Sequence, residues 1–402
     1  MTGLRSTFQN QPLRRLLLAQ LPADFADWLD FVAIGALLAF TWGAEPIVFA
    51  LLAVCLGLPY VLIGPVAGVL VDRTSIKAVL ITSNLGRAVM TASLAFAPSW
   101  QVLLPLILLR SSVDAFFTPA KQAAIQALTV PEGRMSANGI SHAINQASKI
   151  VAPGVGGALL IVIEPGTVFL LNACVSLIAA MLLVGLPAIL RDALESNGRE
   201  SLFGGLKAGW RQVSSNRVLA GALSLMAAGY FAMFFYDTLI APLTRDLGFD
   251  ETALGLALAA VGAGGVLGSV WLGLGKESAR PFLWIAVGSF ISGVAVAFGG
   301  AAEAVGANIS LGVFIGIFGV VGFSTAMVVV PVRTIIQTEC LPERIASVTA
   351  LSEAANTTAL LVAPFIGALI ASFSSVGVAF VIGGGLLILI AARAYALSRE
   401  NG

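Results

Sequence analysis

Twelve windows of about 20 mostly apolar residues follow one another along this chain, separated by short breaks rich in charge, Gly or Pro. A helix rises about 1.5 Å per residue, so each window is long enough to cross the roughly 30 Å hydrocarbon layer of a bilayer. The expected spans are 16–41, 46–71, 77–97, 100–124, 139–163 and 166–187, then 217–241, 252–274, 282–301, 307–332, 346–371 and 375–395. Composition points the same way: 58% of the 402 residues are hydrophobic and only 11% are charged. A soluble domain carries about 25% charged residues, so most of this surface is not built to face water. The expected fold class is an all-α membrane protein of twelve transmembrane helices in two pseudo-symmetric six-helix bundles.

The boundaries follow charge. The stretch from Ala188 to Asn216 is the longest polar one and divides six spans from six. Residues 1–187 are expected to form an N-terminal bundle, 188–216 a cytoplasmic linker with a surface helix near 202–213, and 217–402 a C-terminal bundle. Eighteen of the 22 Lys and Arg residues, Lys77, Lys121 and Arg134 among them, fall at the termini or in connections from even to odd spans. In the opposite connections only Arg245 is basic. Cytoplasmic loops attract Lys and Arg, which places both termini inside the cell. The stretch after Arg14 and Arg15 carries Asp24, Asp27 and Asp30 and lacks a small-residue cleavage site, so the first span is expected to be retained.

A net charge of +1 offers no basic patch for nucleic acid. Cys55, Cys174 and Cys340 have no paired spacing, and His142 is the only histidine, so neither a disulfide framework nor a metal centre is expected. No cofactor motif is present, and no His-Glu-x-x-His, Gly-x-Ser-x-Gly or Gly-Lys-Ser/Thr sequence supports an enzyme. No loop is long enough for the soluble domain of a receptor.

The halves repeat one another. Shifting residues 125–157 by 211 positions superimposes Gln126, Pro131, Glu132, Ser141, Asn145, Pro153 and Gly156 on Gln337, Pro342, Glu343, Ser352, Asn356, Pro364 and Gly367. Gly64 and Gly68 recur as Gly264 and Gly268. The fifth and eleventh spans are thus equivalent and run the same way, making a parallel repeat.

Charges inside spans are costly and usually line an aqueous cavity. Asp24, Asp27 and Asp30 lie in the first span, Arg87 in the third, Arg110 and Asp114 in the fourth and Lys149 in the fifth. At 1.5 Å per residue, Asp27, Arg87, Arg110 and Lys149 all come to roughly 15 Å depth. Four carboxylates face three bases, so one acid has no obvious partner and could carry a proton. The second half lacks such a network, holding Asp237 near the end of its first span and aromatic residues instead. Phe231, Phe235, Phe314 and Phe318 are either core or one wall of an apolar substrate cavity.

Three runs carry a family resemblance. Gly64-Pro-Val-Ala-Gly68-Val-Leu-Val-Asp72-Arg73-Thr-Ser-Ile-Lys77 resembles the Gly-x-x-x-Asp-Arg signature between the second and third helices of the major facilitator superfamily. The resemblance implies a conformational latch made by Gly64, Gly68, Asp72, Arg73 and Lys77. Gly139, Ser148, Ala152-Pro153 and Gly156-Gly157 resemble the antiporter signature of drug exporters, with Ser148 and Ala152 where glycine is usual. Arg110 is similar to the fourth-helix arginine beside the proton site of related antiporters, with Asp114 replacing the usual glycine. Phe116–Ile125, Ala137-Asn138-Gly139, Arg333–Gln337 and Pro342-Glu-Arg344 look like the branch of macrolide and siderophore exporters. Lysophospholipid transporters share part of that pattern.

The resemblance implies a monomeric, proton-coupled antiporter of the cell inner membrane. It would export an amphipathic or lipophilic small molecule by alternating access, its partners being substrate, protons and the lipid bilayer. A lysophospholipid flippase or siderophore transporter of the same fold is the alternative.

Overall fold

The computed structural model describes residues 10–64, 67, 70, 71, 74–129, 134–160, 162–188, 210–274, 280–340 and 345–400. Among them there is no strand. In chain order the α-helices are α1 (Gln11–Ala36), α2 (Pro46–Leu62), α3 (Ile76–Leu94), α4 (Trp100–Asp114), α5 (Phe117–Leu128), α6 (Arg134–Leu160) and α7 (Pro165–Val184). There follow α8 (Arg217–Asp237), α9 (Ile240–Asp246), α10 (Glu251–Leu274), α11 (Pro281–Ala304), α12 (Leu311–Glu339), α13 (Ile345–Phe373) and α14 (Val376–Glu400). Most of the expected linker, with Arg191, Arg199 and Lys207, lies outside the described residues.

Among the described residues eight helices are long and apolar enough to cross a membrane, with α4 and α5 counted as one. They display Leu109, Met181, Leu267, Phe373 and Leu389 on their surfaces. Apolar side chains exposed on helix after helix need a surrounding other than water. The α1 helix falls outside the eight. It carries three aspartates, Asp24 and Asp30 buried and Asp27 partly exposed, and all three meet bases from other helices.

Local chemistry sets the helix ends. Asn10 caps α1 by accepting from Leu13 N at 3.1 Å, and its amide donates to Leu128 O at 2.7 Å, fastening the start of α1 to the end of α5. After α1 the backbone widens into a π-turn over Leu37–Thr41 and turns at Gly43, whose φ of 55° favours glycine. The fourth expected span is broken: α4 stops at Asp114 and α5 begins at Phe117. Pro119 falls in the first turn of α5, where its missing N–H costs no intrahelical bond.

The described residues of 1–43 and 54–196 form one compact unit and those of 44–53 and 197–402 a second. In the first, α1 packs against α6 and α7, and α3 packs against α7, α4 and α5. Leu13, Leu16, Ile76, Leu80, Phe117, Ala120 and Leu183 make part of its core. Arg15 and Lys77 both reach the end of α7. Arg15 donates to Gly185 O and Lys77 to Leu186 O at 2.6 Å, where free carbonyls attract cations. In the second unit α11 packs on α14, α10 on α12, and α8 on α13.

The sequence repeat is also a repeat of contacts. In the first unit Gly156 of α6 faces the Leu29 carbonyl of α1, and Ser141 Oγ donates to Gln20 Oε1 at 2.8 Å. In the second, Gly367 of α13 faces the Phe235 carbonyl of α8, and Ser352 Oγ lies 3.5 Å from Met226 Sδ. Gly156 and Gly367 are 211 positions apart, as Ser141 and Ser352 are, while Leu29 and Phe235 share the 206 offset of Gln20 and Met226. Glycine appears where backbone meets side chain or backbone at close range. The other glycine repeat differs in use: a Cβ on Gly264 or Gly268 would strike α12, whereas one on Gly64 would meet nothing within 4 Å.

Candidate functional site

The first unit gathers five charged side chains in one cluster, four of them buried. Three apart on α1, Asp27 and Asp30 are neighbours on its surface. Facing them are Arg87 from α3 and Arg110 and Asp114 from α4. Arg87 Nη1 lies 2.6 Å from Asp27 Oδ1 and 3.2 Å from Asp114 Oδ1. Arg110 Nη2 lies 3.5 Å from Asp27 Oδ1 and 3.4 Å from Asp30 Oδ2. Neutral residues hold the bases in place: Arg87 Nη2 donates to Asn84 Oδ1 at 2.7 Å, and Arg110 Nε donates to Thr91 Oγ1 at 3.2 Å. Tyr60 of α2 completes the ring by donating to Asp114 Oδ2 at 2.9 Å.

Exposure separates the three acids. The Asp27 side chain is 27% exposed, against 1% for Asp30 and 7% for Asp114. Asp27 is therefore the most accessible acid of the cluster, while Asp30 and Arg110 form a covered pair. Among the described residues, three carboxylates against two guanidiniums give the fully ionised cluster an excess of one negative charge. An excess charge held away from water is expensive, so binding a proton or another cation relieves it.

A second, neutral group lies beside α1 at Asp24. Lys121 Nζ approaches Asp24 Oδ1 to 3.3 Å, and Gln20 Nε2 donates to Asp24 Oδ2 at 2.6 Å. Asn145 of α6 adds a 3.3 Å bond, and Gln20 Nε2 also donates to Ser141 O at 2.8 Å. The buried Phe117 ring stands between the groups. The Arg87 guanidinium carbon lies 5.7 Å, and Lys121 Nζ 5.3 Å, from its centroid, within cation–π range.

Asp24, Asp27, Asp30, Arg87, Arg110 and Asp114 are thus placed in these two groups. Lys121 corrects the expectation that it is a loop charge. It sits inside α5 and is buried, because Asp24 neutralises its head while Phe117 lies over it. The side chain of Lys149, and those of His142 and Glu353, lie outside the described residues, as do Gly68, Asp72 and Arg73 of the expected latch. Lys77 meets Leu186 O, as given above. In α6, Pro153, Gly156 and Gly157 are buried. Of the four phenylalanines, Phe235, Phe314 and Phe318 are buried within the second unit, Phe314 and Phe318 edge to face at 5.1 Å, and Phe231 is partly exposed. No group of three His, Cys, Asp or Glu residues that could hold a metal occurs among the described residues.

The family model of the Major Facilitator Superfamily matches residues 16–351. The chain belongs to the major facilitator superfamily. It is a multi-pass membrane transporter rather than an enzyme. An uncharacterized MFS-type transporter of Bacillus subtilis (strain 168), YfiS, is 28% identical over 388 residues, covering 95% of this chain and 92% of that protein. Macrolide efflux protein A of Streptococcus pyogenes is 27% identical over 347 residues, 83% of each chain. Among solved structures, a bacterial homologue of the human lysosomal transporter Spinster, inward-facing and unoccupied, matches 97% of each chain with a TM-score of 0.70. Its 15% identity makes this a likeness of fold.

Two functional candidates of this transporter escaped the sequence reading. Tyr60 sits in an apolar helix with no ionisable neighbour in sequence, and Lys121 was hidden by its closeness to the charged break before α6. A helical reading of Phe117–Leu128 places Phe117 and Lys121 at i and i+4, which was the available signal for pairing Lys121 with a buried partner.

Proposed function

We propose that this transporter exports an amphipathic or lipophilic small molecule across the cell inner membrane in exchange for protons, by alternating access. The observation that carries the reading is the cluster of Asp27, Asp30 and Asp114 around Arg87 and Arg110, the two bases that meet them among the described residues. One proton neutralises its excess charge, and Asp27, the exposed member, is where that proton enters and leaves. Asp30 is the second acceptor, joined to Asp27 through Arg110, whose approach or withdrawal sets which acid holds the proton. Asp24 with Lys121 forms a polar wall beside the cluster.

The similarity to macrolide efflux protein A supports an outward, lipophilic cargo. The architecture we propose is twelve spans in two six-helix bundles, 1–187 and 217–402, joined by a cytoplasmic linker at 188–216, with both termini cytoplasmic and the protein a monomer. Gly64, Gly68, Asp72, Arg73 and Lys77 act as the latch between conformations, α6 with Pro153, Gly156 and Gly157 flexes against α1, and Phe231 heads the apolar side of the substrate path.

The test uses purified protein in proteoliposomes with an internal pH dye and a panel of macrolides, siderophores, lipophilic dyes and lysolipids. Asp27→Asn combined with Asp30→Asn should abolish uphill transport driven by a pH gradient while sparing downhill movement. Proton movement with substrate in that double variant would place the coupling elsewhere.

A further inference from the structure

We infer that Tyr60 is a positioning residue of the charge cluster, holding Asp114 as the permanent anion so that the exchangeable proton resides on Asp27 or Asp30. The inference rests on the proton-coupling reading of the cluster and deepens it.

The two oxygens of Asp114 are met from different helices. Oδ1 faces Arg87 Nη1 at 3.2 Å and Oδ2 accepts from the Tyr60 hydroxyl at 2.9 Å. Asp27 differs: both its cations reach the same oxygen, Oδ1. Asp30 meets Arg110 through Oδ2 and has the Asn172 amide beside it, but among the described residues no phenol or second cation bonds it. A carboxylate held on both oxygens, one bond being charge-assisted by Arg87 and the other donated by a phenol, gives up more on protonation than one held on a single side. With Asp114 committed, its charge offsets that of Arg87. The odd proton is then shared between the two aspartates flanking Arg110.

Tyr60 is suited to this work by where it stands. Tyr60 as a residue is 43% exposed, so its contribution is the hydroxyl bond rather than core packing. It follows Pro59 within α2, and four residues later comes Gly64, where the run ending at Lys77 begins. Any displacement of this end of α2 therefore reaches Asp114 through a single hydrogen bond. The charged groups around that bond are Asp24, Asp27 and Asp30 on α1, Arg87 on α3, Arg110 on α4 and Lys121 on α5. On α6, His142 and Lys149 are the titratable residues whose side chains lie outside the described set.

The test compares wild type, Tyr60→Phe, Asp114→Asn and Tyr60→Phe with Asp114→Asn as full-length protein in nanodiscs. The carboxyl stretch is titrated by infrared difference spectroscopy, and transport is followed against pH in proteoliposomes. Tyr60→Phe removes one oxygen and should leave thermal stability in the membrane near wild type. It should move the carboxyl titration by about one pH unit, tenfold in proton affinity, because a hydrogen bond to a charged group is lost. In the Asp114→Asn background the same substitution should move nothing. An unchanged titration in Tyr60→Phe, or a shift that persists without Asp114, overturns the proposal. The infrared shift upholds it whether or not a pH gradient drives transport, so failure of the antiport reading shows separately in the transport assay.

Discussion

Lys121 Nζ lies 3.3 Å from Asp24 Oδ1, and both side chains are withdrawn from solvent. Removing either partner strands a buried charge, while removing both leaves a neutral pocket that Gln20, Ser141 and Asn145 still line. Lys121→Met should therefore cost about 3–5 kcal/mol and lower the folded yield. Adding Asp24→Asn should recover most of it. Thermal unfolding of the two variants in detergent checks this, and equal losses in both would show that the pair is not the source of the effect.

Exposure within the larger cluster predicts an order of chemical reactivity. In a background lacking Cys55, Cys174 and Cys340, a cysteine at position 27 should react fastest with a small water-soluble thiol reagent. Cysteines at 30 and 110 should react at least tenfold more slowly, because those sites are buried. The rates are read by mass spectrometry in membranes. Reaction at 30 outpacing that at 27 would place the solvent path on the other side of Arg110.

The glycine contacts between α1 and α6 and between α8 and α13 should differ in tolerance. A Cβ at Gly156 would sit 3.2 Å from the Leu29 carbonyl, tight enough to require a small shift. A Cβ at Gly367 would overlap the Phe235 carbonyl, which is backbone and has no rotamer to give. Gly367→Ala should cost about 1–3 kcal/mol, and Gly156→Ala less than half as much. Melting temperatures in one detergent decide it, with similar losses counting against the packing account.

The expected latch calls for its own measurement. Asp72→Asn should insert and fold normally yet slow transport several-fold, since it removes one charge from the run that ends at Lys77. Lys77→Met should instead lower stability by about 1 kcal/mol, through loss of its bond to the Leu186 carbonyl. Normal transport by well-inserted Asp72→Asn protein would count against a latch.

How much was legible before folding can be read from individual residues. Apolar runs of bilayer length admit little except helices, because a backbone in lipid must satisfy its own hydrogen bonds. That is why the helical class was readable and why most helix ends lie within a few residues of expectation. Pro119, whose missing N–H suits the first turn of a helix, signalled the start of α5 without being read that way. The embedded acids were also countable, since any carboxylate in an apolar run is conspicuous. Their partners were not: the tally of four acids against three bases left out Lys121, which pairs with Asp24. Asp24 belongs to Lys121, which is 97 positions away, and Asp114 takes a hydrogen bond from Tyr60, 54 positions away. Local periodicity carries which residues share a helix face. Which faces meet, and therefore which charge is left over, depends on packing distances set by residues such as Gly156 against Leu29. Only the assembled helices decide that, because electrostatic pairing falls off within a few ångströms while sequence separation places no limit on it.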